Sequence, residues 1–516
     1  MNRKEFLHQL SLLSGGVAFG MGGMPVKAFA HNPFSVSLEG TNGKILVLVQ
    51  LSGGNDGLNT VVPYENSLYY NKRATIAIKK ENVLTLNSQM GLNPGMTAMK
   101  ELYDNGKMTI VQNVGYPSPN RSHFRSTDIW LTGSDANVLW DEGWAGRYLT
   151  KLYPGFPVQI PEQPMAIQLG SVESLLIQTD VGSTGVVFNN PTSFYNLVTG
   201  TTVDNEPVPD TLAGEELKFM RQIATQSVAY SDIIKKKWDG ATKNVSPYPT
   251  TNLGNQLKIV GELIGGGLQT PVYLTNIGGF DTHANQVVAG ATGTGTHANL
   301  LKTVADAVAA FQKDLEKRGL ADKVVLMTFS EFGRRVTQNG TTGTDHGSAA
   351  PLFVVGSGVR GGILGKNPVL SDLDSNGDIK FEFDFRQIYS TILQDHLGVE
   401  TSVTKNIMGD KDFTTLPIFK YAASTIVASN QEFSFELNAA NPFTTYTSVV
   451  YSLKKSMGVK IAMYDMTGRE LSVLRQGTIA AGTYSEIIEG ERFVPGYYLC
   501  AMQCDAGQKV IRLIKM

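Results

Sequence analysis

Five short apolar runs punctuate the middle of the chain: Lys44 to Gln50 (KILVLVQ), Met108 to Asn113, Val272 to Thr275, Lys323 to Phe329 (KVVLMTF) and Leu352 to Val355. Each is apolar at successive positions over a strand's length, the pattern of a strand buried on both faces. Between the runs the spacing turns helical, most clearly from about His297 to Arg318. There Leu300, Leu301, Val304, Val308, Phe311 and Leu315 share one face, Lys317 and Arg318 suit the negative end of the helix dipole, and Gly319 is placed to cap it. KVVLMTF follows at once, which completes half of a βαβ unit and predicts an α/β domain with a mostly parallel central sheet. Residues 182–248 are poorer in strand signals and are expected to add helices and surface loops. From Phe433 onward the texture changes to short alternating segments, with turns at Met466-Thr467-Gly468, Ala480-Ala481-Gly482, Val494-Pro495-Gly496 and Asp505-Ala506-Gly507. That texture predicts a small all-β sandwich.

The first thirty residues follow another logic. A charged start (Arg3, Lys4, Glu5) leads into a glycine-rich, weakly apolar stretch from Leu10 to Val26 and then Ala28-Phe29-Ala30, the layout of a cleavable signal peptide. The stretch is too short and too rich in glycine for a stable membrane span. Arg3-Lys4-x-Phe6-Leu7 is similar to the twin-arginine export motif with Lys in the second basic place, and the ordinary secretory route stays open beside it. The expected division is therefore 1–30 signal peptide, 31–428 α/β domain and 429–516 sandwich.

Charge narrows the partners. With 44 basic and 46 acidic residues and no basic run, nothing here calls for nucleic acid or an anionic membrane surface. The only cysteines, Cys500 and Cys504, share one expected strand, roughly 13 Å apart and beyond disulfide reach.

Polar, glycine-flanked clusters follow the expected strands. Leu51-Ser52-Gly53-Gly54-Asn55-Asp56-Gly57 follows the first, and Gly115 to Phe124, with Ser118, Arg121, Ser122 and His123, follows the second. Gly278-Gly279-Phe280-Asp281-Thr282-His283 follows the third; Ser330-Glu331-Phe332-Gly333-Arg334 and then Gly343-Thr344-Asp345-His346-Gly347 follow the fourth. In an open parallel sheet the carboxyl ends of the strands share one edge, where ligands bind, so these clusters are expected to converge. Carboxylates gathered there repel one another unless a cation joins them, and imidazole beside carboxylate favours zinc, with manganese or calcium as alternatives. The expected ligands to one or two divalent ions are Asp56, Asp281, His283, His297, Asp345 and His346, with His123 and Glu331 in reserve. Taken singly, Asp56 equally fits a turn, His297 a helix cap, and Glu331 with Arg334 a structural ion pair.

At these residues the chain resembles the bacterial family known as domain of unknown function 1501. The matching stretches are LVQLSGGNDGLNTVVPY, PNRSHFRSTDIW, GGFDTHANQ, His297 to Leu301, SEFGR with Asn339, and GTDHG with Gly361-Gly362. Through that family it resembles the alkaline phosphatase and sulfatase superfamily. The resemblance implies a three-layer α/β sandwich that holds one or two metals at the carboxyl edge and cleaves phosphate or sulfate esters. It implies that Asp56 is the first-strand ligand, that Asp345 and His346 form the Asp-His pair, and that Asp281 and His283, completed by His297, serve a second metal. Pro117 to Arg121 is similar to the sulfatase Cys-x-Pro-Ser-Arg loop, with Pro117 in the Cys position. Ser118 and Ser122 are then the candidate nucleophiles, Ser122 first because Arg121 and His123 flank it, and Arg121 or Arg334 is expected to neutralise developing charge.

The C-terminal segment resembles the sorting domain of the type IX secretion system. The matching features are Asn441-Pro442-Phe443, Tyr464 to Arg469, Pro495-Gly496-Tyr497-Tyr498 and the basic-apolar end Lys509 to Lys515. A plain carbohydrate-binding or spacer sandwich is the alternative. With the N-terminal signal, the sorting resemblance implies passage through the periplasm to the cell surface or beyond, with the export and type IX machineries as partners. The expected function is a metal-dependent hydrolase of small or polymeric esters, or a non-catalytic exported metal-binding or surface-assembly protein of the same fold.

Overall fold

Nine strands make the central sheet of the computed structural model, which describes residues 43–157, 159–200, 211–420, 433–437, 441–465, 469–505 and 507–516. The expected signal peptide lies outside the described residues. In chain order the sheet comprises β1 (Ile45–Leu51), β2 (Met108–Gly115), β3 (Ala166–Leu169), β4 (Gly185–Phe188), β5 (Val272–Ile277), β6 (Val324–Phe329), β7 (Ala350–Val355), β8 (Gly362–Leu364) and β9 (Phe383–Asp384). Their order across the sheet is β8-β2-β7-β6-β1-β5-β3-β4, with β9 beside the end of β2. The residues of β2 and β6 are all buried, and those of β1 nearly so, hence both faces of the sheet are covered.

Strand direction, more than strand order, decides which loops can meet. Every pairing in this sheet is parallel except those of β7, which runs against both β6 and β2. The carboxyl ends of β1, β2, β5 and β6 therefore share one edge, and the segment that enters β7, which contains Asp345 and His346, arrives at that same edge.

The helices that concern the site are α1 (His123–Thr132), α2 (Pro191–Val198), α3 (Leu212–Gly240), α4 (Asn252–Gly265), α5 (Thr296–Lys317) and α6 (Phe385–Thr391). The sequence pattern places α5 to within a residue at each end. Its apolar stripe, including Leu301, Val304, Val308, Phe311 and Leu315, is buried as expected. α1 is fixed by Trp130, which stacks on Phe385 of α6 with ring centroids 4.4 Å apart.

Among the described residues, 43–147 and 163–420 form one compact unit, and 148–162 with 433–516 form the other. That unit carries two antiparallel sheets. One has the order β10 (Phe433–Leu437), β11 (Tyr446–Leu453), β14 (Gly482–Glu489); the other has β13 (Glu470–Ile479), β12 (Met457–Asp465), β15 (Gly496–Cys504), β16 (Gly507–Lys515). Phe433, Val449 and Tyr451 of the first meet Ile461, Met463, Cys500 and Leu513 of the second in one apolar core. Cys500 and Cys504 lie in one strand and form no disulfide.

Candidate metal centre

Three imidazoles and one carboxylate converge at the carboxyl edge. Nε2 of His283 lies 2.9 Å from Nε2 of His346 and 3.1 Å from Oδ1 of Asp281. Nε2 of His346 lies 3.2 Å from the same oxygen, and Nε2 of His123 lies 3.5 Å from Oδ2 of Asp281. His123, Asp281 and His346 each place a ligand atom within 4.8 Å of the others.

Local structure explains why four distant residues meet. Asp281 and His283 follow β5 directly. The β1 loop packs onto that turn through Gly53, which has φ +121°; a Cβ there would stand 2.3 Å from the Asp281 nitrogen. Any side chain at Gly53 would force the two loops apart. Likewise a Cβ on Gly343 would lie 2.4 Å from the His283 carbonyl carbon, so the loop carrying His346 comes close only with glycine there. His123 starts α1, which Ser126 ties to the β6 end by donating from Oγ to the Glu331 carbonyl. Arg334, whose side chain is fully buried, donates to the carbonyls of Gly54 at 2.7 Å, Thr344 at 2.8 Å and Phe280 at 3.1 Å, to the Gly53 carbonyl, and to Asp281 Oδ1 at 2.6 Å. One guanidinium thus holds the three loops together.

Each imidazole has its other nitrogen engaged. Nδ1 of His123 donates to Glu331 Oε1 at 2.8 Å, Nδ1 of His283 to Asp345 Oδ1 at 3.2 Å, and Nδ1 of His346 to the Arg121 carbonyl at 2.9 Å. A carbonyl can only accept, and the two carboxylates accept when ionised, so in the neutral rings the three Nε2 atoms carry lone pairs. The lone pairs of His283 and His346 then face each other at 2.9 Å, beside an anion. A proton or a metal ion is needed to make that arrangement favourable.

Electrostatics favour the metal over the proton. Burial, only partly opposed by the Arg121 carbonyl and by Asp281, holds His346 below the ordinary imidazole range. Burial pushes Asp281 up, but hydrogen bonds from Arg334 and His346 and the nearby positive charges outweigh it, bringing its pKa down to about 2. Asp345 is also lowered, first by its hydrogen bond from Asn339 and then by His283. Nε2 of His123 is buried without a hydrogen-bond partner, an orphan that a metal would satisfy. Ligands about 2.0–2.1 Å from a tetrahedral ion stand roughly 3.3 Å from one another, close to the 2.9, 3.1 and 3.2 Å among Asp281 Oδ1, His283 and His346, while His123 stands 3.5 Å from the other carboxylate oxygen. The donor set fits zinc, and the partly exposed side chains of His123, Asp281, His283 and His346 leave the centre open to solvent.

The other expected site residues take different places. Asp56 is fully buried, with Oδ2 2.6 Å from Nη1 of the equally buried Arg73 and 2.5 Å from the amide nitrogen of Gln286. Arg73 also donates to the carbonyls of Val336 at 2.9 Å and Arg335 at 2.7 Å. Burial raises the Asp56 pKa, yet Arg73 more than offsets it and holds the carboxyl lowered. An organic cation thus pairs with Oδ2 of Asp56, while its Oδ1 is buried without a hydrogen-bond partner. His297 is buried too, with Nε2 2.9 Å from Asn55 Oδ1, and burial brings its pKa down to about 4. Asp345 supports a ligand's ring, and His123, expected beside a nucleophile, joins the ligand atoms. Glu331 pairs with His123, so the expected Glu331–Arg334 pair is absent. Ser118, at φ +55°, and Ser122, which begins α1, are both exposed in the loop before His123. Arg121 is held by Asp378, with Nε 2.9 Å from Oδ2. Sequence reading missed Arg73, which sits in no motif; a basic residue directly after Lys72 gives no signal of burial.

The family model described as a protein of unknown function, DUF1501, matches residues 267–413. That span holds Asp281, His283, Glu331, Asp345 and His346. No curated protein matches the sequence. Among solved structures, the chain is similar to a Bacteroides thetaiotaomicron protein from a locus for metabolism of multiple glycosaminoglycans, at 9% identity over 84% of this chain and 89% of that one, TM-score 0.34. It is similar to a Vibrio parahaemolyticus protein of the alkaline phosphatase superfamily, at 8% identity over 92% and 91%, TM-score 0.32. It is also similar to a putative sulfatase from Bacteroides fragilis, at 9% identity over 90% and 91%, TM-score 0.30.

Proposed function

We propose that this protein is an exported, metal-dependent hydrolase of phosphate or sulfate esters with a single divalent ion, zinc first, held by His123, Asp281, His283 and His346. The observation that carries this reading is the convergence of three Nε2 lone pairs on one carboxylate, each ring's Nδ1 being held by its own acceptor. Bound there, the ion would supply Lewis-acid stabilisation to an ester oxygen and lower the pKa of a hydroxyl. The chain's own groups supply the rest. Ser122, exposed and adjacent to the ligand His123, offers the attacking hydroxyl, with Ser118 as its alternative. Its oxygen gives up its proton as it attacks phosphorus or sulfur in line, the ester oxygen departs opposite and takes up a proton, and water then cleaves the seryl ester to restore the hydroxyl. Arg121, oriented by Asp378, faces the anionic substrate, and the exposed Arg335 adds positive charge near Asp345. Arg334 clamps the three loops, so charge neutralisation falls to Arg121.

Export is part of the proposal. The N-terminal layout supports passage across the inner membrane, and no helix among the described residues is long and apolar enough to span a membrane. In the C-terminal unit, Asn441 Oδ1 accepts from the Ile514 nitrogen at 2.7 Å, and Asp465 accepts from the Arg469 nitrogen at 3.0 Å. The sorting-like motifs thus take part in one long-range and one local hydrogen bond, which supports a folded type IX address.

A second reading, a metal-binding surface protein without turnover, is favoured by Pro117 in the Cys position of the sulfatase-like loop. Hydrolysis of a panel of aryl phosphate and aryl sulfate esters by the wild type, Ser122→Ala and Ser118→Ala separates the two. Turnover lost in one serine variant with metal retained supports the hydrolase. No turnover on any ester by a metal-loaded wild type favours the second reading.

A further inference from the structure

A cavity of about 660 Å³ opens in the larger unit and shares no residue with the metal centre. Its position follows from the sheet. β4 ends at Phe188 and passes through Asn189 and Asn190 into α2, while the first turns of α4 approach the carboxyl end of β5. Gln256 of α4 fixes that approach, donating to the Asn276 carbonyl at 2.9 Å and accepting from the Asn276 nitrogen at 3.0 Å. The cavity thus stands at the carboxyl edge of the parallel strands, where α/β sheets bind ligands.

Its lining is chemically narrow. Six of its eleven residues carry side-chain amides, contributed by the β4–α2 turn, the α3–α4 connection and the first two turns of α4. Trp238, near the end of α3, supplies the aromatic wall, and Ile259 the single aliphatic contact. The charges in the lining have partners within the protein. Lys243 lies 3.1 Å from the buried Glu262, with its Nζ also 3.3 Å from the centroid of the Trp238 ring, and Lys258 donates to Asn244 Oδ1 at 2.7 Å. The indole is therefore held in place, and the cations are engaged by the protein.

We propose that this cavity binds an uncharged oligosaccharide. Asn190, Asn244 and Gln256 are engaged within the protein, whereas Asn189, Asn252 and Asn255 each offer a donor and an acceptor side by side, which matches a sugar hydroxyl that both gives and takes a hydrogen bond. The indole face that Lys243 does not cover suits the C–H face of a pyranose. A phosphate or carboxylate ligand would call for cations not already paired, and an apolar ligand would call for far more than one aliphatic side chain. The volume falls within the roughly 300–1,000 Å³ of small-ligand sites. The inference stands on the cavity alone and does not rest on the metal reading.

The test uses the whole exported chain and a panel of neutral gluco-, xylo-, manno- and galacto-oligosaccharides of two to six units, followed by calorimetry. At least one series is expected to bind. Trp238→Ala and, separately, Asn255→Leu at an exposed helix position should each weaken it by about tenfold or more, with metal content and melting temperature unchanged for Asn255→Leu. No binding across the panel at millimolar sugar overturns the proposal. Binding that survives both substitutions, or that is lost in His346→Ala, also overturns it by placing the sugar elsewhere.

Discussion

The Nε2 atoms of His283 and His346 stand 2.9 Å apart while the Nδ1 atoms of both rings are bound elsewhere. Neither neutral ring has a proton to place between them. The fold therefore holds a repulsive contact unless a cation occupies the space, and the apo protein is expected to be less stable than the loaded one. Zinc at about a hundredfold its Kd should add about 2.7 kcal/mol. Thermal unfolding in chelator and then in zinc checks this in the wild type, and the zinc-dependent rise should vanish in His346→Ala.

Glu331 reaches the centre through His123. Its buried carboxylate accepts from Nδ1 of that ring and from the Gly53 nitrogen, both at 2.8 Å, and so fixes both the ring's tautomer and the β1 loop. Acceptors behind metal-bound histidines typically contribute roughly 10–100-fold to metal affinity. Glu331→Gln, which keeps the shape and removes the charge, should weaken zinc by about tenfold in a competition titration against a coloured chelator, with the circular dichroism unchanged.

Arg73 and Asp56 form a fully buried ion pair. Removal of one partner leaves the other charge buried and unpaired, which costs about 3–5 kcal/mol. Arg73→Met should lower stability by that amount in urea unfolding. The fraction that remains folded should still carry one metal ion, because the proposed centre does not include Asp56.

How much of this was legible in sequence depends on how local the cause is. Strand runs such as KVVLMTF and the α5 stripe are local patterns and fall where expected. β3 and β4 were missed because AIQL and GVVF are four-residue strands without alternation, and α4 because its three glycines at 254, 261 and 265 blur a helical signal. Convergence of Asp281, His283 and His346 was legible through strand ends, which a parallel sheet brings together. The role of His123 was obscured by its neighbour: Ser122 suggests a hydroxyl and its base, whereas the partner that orients the ring, Glu331, is 208 residues away. Asp56 and His297 looked like ligands by residue type. Their buried partners, Arg73 and Asn55, are tertiary facts that no spacing records.

Acid should act first through two buried histidines outside the ligand set. His396 donates from Nε2 to the Ile45 carbonyl at 3.0 Å, and burial brings its pKa down to about 4, as it does for His297. The unfolded value is about 6.5, so the neutral folded rings contribute stability that is fully present above about pH 6.5 and is lost as the pH falls toward about 4. Each adds up to ~1.4 kcal/mol per pH unit inside that window. Urea midpoints of the metal-free protein should fall between about pH 7 and about pH 5, and His396→Gln should show a shallower slope, by about one proton.

Metal stoichiometry tests the central claim most directly. Elemental analysis of the chain, purified without chelator and dialysed against zinc at a low multiple of the protein concentration, should give one ion per chain for the wild type and for Asp56→Asn. It should give none for His346→Ala. Two ions per wild-type chain with one lost in Asp56→Asn, or no ion in a folded wild type, would contradict a single centre built from His123, Asp281, His283 and His346.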